Sequence, residues 1–135
     1  MENEKQLQQK YVQMQVLDHQ IKHAQKQIQL IEQQSMELIV AMQALEEIKT
    51  AKPGSELLIP LASGIFAKAE LKDNSGLILN IGANTAVVKD IPSTMKIIDK
   101  QMKEMKSVQE QLFAELQHMV AEARHLESEI GKLSQ

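Results

Sequence analysis

The chain of 135 residues has no cysteine and no tryptophan, and its aromatic residues are Tyr11, Phe66 and Phe113. Without thiols there is neither a disulfide framework nor a thiolate metal site, a composition that fits a reducing, cytoplasmic compartment. So few aromatic walls argue against a deep ligand pocket. An excess of basic charge is missing too. The formal net charge is −3, with lysines scattered among Asp and Glu, so nothing resembles a footprint for a phosphate backbone, and nucleic acid is not an expected partner. No apolar run approaches membrane-spanning length, and the opening Met1-Glu2-Asn3-Glu4-Lys5 has no apolar signal region, so no membrane association is expected. Glycine-rich phosphate loops are absent as well: Ala62-Ser63-Gly64 is too short and the turn at Gly82 lacks a lysine, so nucleotide use is not indicated. No Ser-His-Asp set or carboxylate pair converges on a pocket, so no enzyme and no cofactor are expected.

What the chain does have is two heptad seams. In the first segment the a positions are Leu7, Met14, Ile21, Ile28, Ser35 and Met42, and the d positions are Lys10, Leu17, Ala24, Ile31, Leu38 and Leu45. In the second, a is Met95, Met102, Gln109, Leu116, Ala123 and Ile130, and d is Ile98, Met105, Leu112, Met119, Leu126 and Leu133. This period demands helices, and an antiparallel fold sets every a residue of one opposite a d residue of the other. Leu7 then faces Leu133, Met14 faces Leu126 and Ile28 faces Leu112, while small residues meet large ones, Ala24 against Leu116 and Ala123 against Leu17. A seam of constant volume needs that complementarity. Two such helices at about 1.5 Å per residue would each reach roughly 60 Å, so an elongated molecule is expected.

Between the seams the period changes. Pro53-Gly54 closes the first helix, because proline cannot continue the hydrogen-bond ladder. Residues 56–61 and 65–71 read as strands joined by Ala62-Ser63-Gly64, and residues 77–81 and 85–89 as strands around Gly82-Ala83-Asn84. Pro92 marks the first turn of the second helix. The expected fold class is α+β: a long antiparallel two-helix coiled coil with two β-hairpins at the bend. It is one domain over residues 1–135, with helices over 4–49 and 92–133 and the hairpins within 55–90. Four short strands cannot bury both faces and leave unpaired edges, so an oligomer is inferred. Met36, Ile39, Val40 and Ile48 add apolar surface outside the seam, and either join that oligomer or pack on the hairpins of their own chain.

An antiparallel coiled coil with two hairpins resembles the α-class subunits of the prefoldin family. The segment ELLIPLASGIFAKAEL, Glu56 to Leu71, is similar to that family's first hairpin, and LILNIGANTAVVKDI, Leu77 to Ile91, to the second hairpin that distinguishes α-class from β-class subunits. Compact termini make it most similar to archaeal α subunits. The resemblance implies an ATP-independent holdase in which two α and four β subunits join hairpins into a β-barrel platform. Unfolded client polypeptide would be held at the coiled-coil tips and passed to a group II chaperonin. The assembly residues it implies are Leu57, Ile59, Ile65, Phe66, Leu77, Leu79, Ile81, Val87 and Val88. An alternative from another class is a structural coiled-coil tether or a filament-forming α-class relative, with hairpin edges pairing head to tail.

Client capture requires apolar surface that stays available. At the free ends the register collects Leu7, Tyr11, Val12, Met14 and Val16 near Leu126, Ile130 and Leu133, with Tyr11, Val12 and Val16 off the seam. Lys10 in a d position opposite Ile130, together with Gly131, is expected to fray this end and expose the seam. Isolated exposed valines and fraying termini are also ordinary features of helices. Ser35 and Gln109, polar residues in adjacent seam layers, either fix the register or are tolerated there. His19 and His23 have the i, i+4 spacing of a helical metal pair but no third ligand, so no metal site is expected. Phe113 and Val120, at successive e positions, read as residues that widen the seam rather than as a second client site.

Overall fold

The computed structural model describes residues 2–135 and consists of two long helices flanking two β-hairpins. Helix α1 spans Glu2–Thr50, strands β1 and β2 span Glu56–Ala62 and Ile65–Glu70, β3 and β4 span Leu77–Gly82 and Thr85–Lys89, and α2 spans Ile91–Leu133. The helix boundaries lie within two residues of those read from the heptads, and the strands within one. The chain divides into two compact units. One holds residues 2–35 with 103–135, and the other holds residues 36–102.

In the first unit, burial follows the heptad phase. Along α1 up to Ser35 the residues removed from solvent are Leu7, Lys10, Met14, Leu17, Ile21, Ala24, Ile28, Ile31 and Ser35, all of them a or d positions. Along α2 the a and d positions from Met105 to Leu133 are likewise covered, joined only by Val120 and Glu129. Leu17, Ala24 and Ile28 are the most deeply buried, which fits a seam where alanine on one helix admits a large side chain from the other. Two contacts fix the antiparallel register. The Ser35 hydroxyl donates to Met105 Sδ at 3.6 Å, an a–d pair across the seam, and Lys10 pairs with Glu129, the neighbour of Ile130. Val120 is half-buried beside the seam, as expected, but Phe113 stays largely exposed.

In the second unit, Leu38, Met42 and Leu45 of α1 and Met95, Ile98 and Met102 of α2 continue the covered stripe, with Ile91 and Thr94 buried at the start of α2. Asp90 caps that start: its Oδ1 accepts from Ser93 N at 2.7 Å, while its carbonyl accepts from Thr94 Oγ1 at 2.9 Å. This satisfies a donor the first helical turn leaves orphaned. At the other boundary, α1 ends under a side chain from the link between the hairpins. Asn74 Nδ2 donates to the carbonyls of Ile48 at 3.3 Å and Ala51 at 3.0 Å. Asp73 stiffens that link by accepting from Ser75 N at 2.8 Å and Ser75 Oγ at 2.7 Å.

Each hairpin is its own two-stranded antiparallel sheet. The first pairs Glu56 with Glu70 through Pro60 with Phe66, then shifts register so that Ala62 meets Ile65. The shift places Leu61 outside the ladder, and Gly64 turns the chain at φ +78°. Beyond the strands the ladder continues, with Leu71 N donating to Ser55 O at 2.8 Å. The second hairpin pairs Leu77 with Lys89 and Gly82 with Thr85, leaving a two-residue turn of Ala83 and Asn84 at φ +50° and +58°. Positive φ at both central residues is the turn whose twist suits a hairpin, but alanine pays for it sterically. Gly76 admits close approach of this hairpin, since a Cβ there would lie 2.8 Å from Val88 Cγ1.

Four outcomes follow for stability, each read by thermal unfolding. Asn74→Ala removes both cap bonds and costs about 1 kcal/mol. Asn74→Asp costs more at neutral pH, because a carboxylate then faces two carbonyls at the negative end of α1, and the difference narrows in acid once the group is protonated and can donate. Ala83→Asn combined with Asn84→Gly stabilises the chain by about 0.5–1 kcal/mol by supplying residues suited to positive φ. Asp90 is held below the usual carboxylate range first by the Ser93 amide and then by the Ser93 hydroxyl. Its contribution is therefore present above the ordinary carboxylate pKa and lost as pH falls through the lowered value, and Asp90→Asn should flatten that acid limb of the melting curve.

Candidate functional site

Two surfaces leave apolar groups uncovered, one in each unit. On the hairpins the pleat decides which side chains are hidden, since successive residues point to opposite faces. Leu57, Leu77, Leu79 and Val87 lie on half-buried faces, while Ile59, Ile65, Phe66, Ile81 and Val88 stand exposed. The expected assembly residues therefore divide by exposure and not by face alone, since Leu57 and Ile59 point the same way from β1. Two of the barest side chains lie outside the expected set, Leu58 at 64% exposure and Leu61 at 67%, and Ile78, in the apolar run of β3, is barer still at 80%. Ile78 sits directly opposite Val88, which is 74% exposed, so the two form one cross-strand apolar pair in water. Counting outward from the Ala83-Asn84 turn would set Ile78 opposite Lys89; a register shift between Asn80 and Gly82 brings it opposite Val88 instead, so the sequence carries no local signal for this pair. Met36, Ile39 and Val40 also remain exposed, so their own hairpins do not cover them; Ile48 is half-buried.

At the free helix ends the expected residues divide again. Tyr11, Val12 and Val16 are more than half exposed, whereas Leu7, Met14, Leu126, Ile130 and Leu133 are half-buried in the seam. A cleft of about 270 Å³ runs beside Tyr11, lined by Met14, Gln15, Asp18, Ile21 and Ala123. The small side chain at Ala123 leaves this space between Met14 and Ile21, a consequence of the heptad that burial counts alone do not reveal. Val12 borders a second groove with Lys5, Gln8, Gln9 and Gln13.

The polar groups near this end are engaged with each other. Lys10 Nζ donates to Glu129 Oε2, and His125 Nε2 lies 2.7 Å from Glu129 Oε1. The Glu129 carboxyl is held below its ordinary range chiefly by the Lys10 hydrogen bond. Lys10 therefore does not stand unpaired at its d position, and α2 continues through Gly131 to Leu133, with Ser134 Oγ donating to Ile130 O at 2.7 Å. The ammonium expected to loosen this end has a partner here, a g residue of the opposite helix. His118 pairs with Glu122 at 3.2 Å one turn along α2, and Lys22 with Asp18 at 3.2 Å along α1. These are solvated pairs worth little individually. The chemistry on offer is shallow apolar contact, suited to binding side chains of varied sequence.

A family model for prefoldin subunits matches residues 17–135. The prefoldin subunit alpha of Thermofilum pendens is 29% identical over 106 residues, which is 78% of this chain and 82% of that protein. The prefoldin subunit alpha of Methanococcus vannielii is 25% identical over 126 residues, 93% of this chain and 84% of its own, and that of Archaeoglobus fulgidus is 22% identical over all 135 residues and 98% of its own length. In fold, the chain is similar to filamentous PFD from Methanocaldococcus jannaschii, solved by cryo-EM, with a TM-score of 0.72 at 17% identity over 85% of this chain and 95% of that one. Two heptad helices, two separate hairpins and a match over most of the length converge: the chain belongs to the prefoldin family, and its similarity is to archaeal alpha subunits.

Proposed function

We propose that this prefoldin chaperone subunit is an ATP-independent holdase of the cytoplasm. In this reading it joins β-class subunits, two alpha with four beta, through its hairpins, captures unfolded polypeptide at the free helix ends and passes it to a group II chaperonin. The observation that carries the reading is the pair of uncovered apolar surfaces, each with the geometry one of these tasks needs. Ile78 and Val88, with Leu58, Leu61 and Phe66, lie on two-stranded sheets whose outer edges meet no further strand among the described residues. Such edges and faces are stable in water when another chain covers them. Tyr11, Val12 and Val16 border open clefts next to half-buried Met14, a polarizable side chain that adapts to many shapes.

The test begins with the native mass of the chain, alone and co-expressed with a β-class subunit. A discrete complex of two with four is expected; open polymers of the chain alone would favour the tether or filament reading instead. On the assembled protein, Tyr11→Ser, Val12→Ser and Val16→Ser together should weaken suppression of client aggregation about tenfold, since ~1.5 kcal/mol of apolar contact is removed. The native mass should not change. Removing residues 1–16 and 124–135 should abolish suppression, and full protection by that truncated assembly would sink the tip mechanism.

A further inference from the structure

Heptad logic puts an apolar residue where Lys10 stands, and the structure resolves the conflict across the helix pair. Lys10 Nζ reaches Glu129 Oε2 on the other helix, with the two side chains 27% and 32% exposed. The remaining carboxylate oxygen faces His125 Nε2 at 2.7 Å, so Glu129 is steadied from its own helix while it reaches across. Gln13, Leu126, His118 and Glu122 line the groove of about 520 Å³ that runs along this contact. The pairs Lys22–Asp18 and His118–Glu122 each lie within a single helix and cannot hold two helices together. Lys10–Glu129 can.

A lysine at d has two arrangements. Paired, its charge is matched and its methylene stem lies over the seam as an apolar residue would. Unpaired, the ammonium must reach water, and the helices that flank it separate to let it. We propose that Lys10 and Glu129 form a clasp that holds the free helix ends closed over Leu7, Ile130 and Leu133, and thereby limits the apolar surface offered to a client. The clasp deepens the tip reading and rests on it: the outward residues Tyr11, Val12 and Val16 are always available, and the seam residues become so when the clasp opens.

Two substitutions that both destroy the ion pair should act in opposite directions. Glu129→Lys sets ammonium against ammonium and opens the end; Lys10→Leu supplies the apolar d residue and tightens it. In the full-length chain, in the assembly in which it purifies, amide hydrogen exchange of residues 5–14 and 125–133 should quicken roughly two- to fivefold with Glu129→Lys, a range set by a partly exposed ion pair. Exchange should slow with Lys10→Leu and return toward the parent in the charge-swapped Lys10→Glu, Glu129→Lys double variant. Suppression of client aggregation should follow the same order, greatest for Glu129→Lys and least for Lys10→Leu. Unchanged exchange in both single variants overturns the clasp. Exchange that shifts while suppression stays constant overturns its role in limiting capture, and the truncation described above separately decides whether clients use these ends at all.

Discussion

The structure depends on one constraint: a pair of helices can bury only one stripe each, so its apolar residues must recur in phase and must complement each other across the seam. In the unit of residues 2–35 and 103–135 the covered residues of α1 and α2 are all a or d positions except Val120 and Glu129, which adjoin them; next to the hairpins Ala41, Ile48, Thr94 and Ile97 are covered as well. Where no further element lies against the pair, side chains outside the stripe remain in water. That is why glutamine can occupy Gln6, Gln13, Gln20, Gln27 and Gln34 at successive g positions without harm. It is also why an apolar residue off the stripe, such as Val12 or Val16, stays uncovered by its own chain.

Two of the seam's three polar residues, Ser35, Lys10 and Gln109, find something specific across it. Ser35 finds Met105, and Lys10 finds Glu129. Both contacts fall in the same antiparallel register; a slip by one heptad would offer Lys10 another carboxylate, Glu122, but would set Ser35 against Ile98 and Ala24 against Gln109, and so lose the fit of small side chains against large ones. Such a mismatch of volumes costs more than the modest worth of the ion pair itself, because close-packed seams tolerate neither voids nor overpacking. Selection of register by penalty rather than by gain explains how a seam can carry a lysine and remain unique.

Much of the fold was legible because its elements are set by local periodicity and local turn chemistry. The heptads gave helix limits and partners, and Ser63-Gly64 and Ala83-Asn84 sit where the strands reverse. What was not legible depends on partners distant in sequence. Asn74 caps carbonyls of Ile48 and Ala51, which no local pattern announces. Glu129 is an ordinary g residue until its opposite number is known to be Lys10. Asp90 was a different kind of omission, since an aspartate ahead of Ile91-Pro92-Ser93 is itself a helix-start signal. On the hairpins, apolar runs such as Leu57-Leu58-Ile59 put large side chains on both faces, so composition could not say which face is bare. Pairing register does, and it selects Ile78 with Val88.

The two bare surfaces differ in kind, and the difference bears on what each suits. A hairpin face is preorganised: its backbone is laddered, its β-branched side chains have few rotamers, and it presents directional N–H and C=O groups along an edge. Such a surface favours a partner of defined shape, which is what a fixed subunit contact requires. The helix ends are the opposite. Their backbone groups are consumed within α1 and α2, so only side chains remain to make contact, and the available ones are a tyrosine, two valines and a methionine beside an alanine-lined cleft. Contact without backbone direction discriminates poorly among sequences, which suits the capture of unfolded chains proposed above.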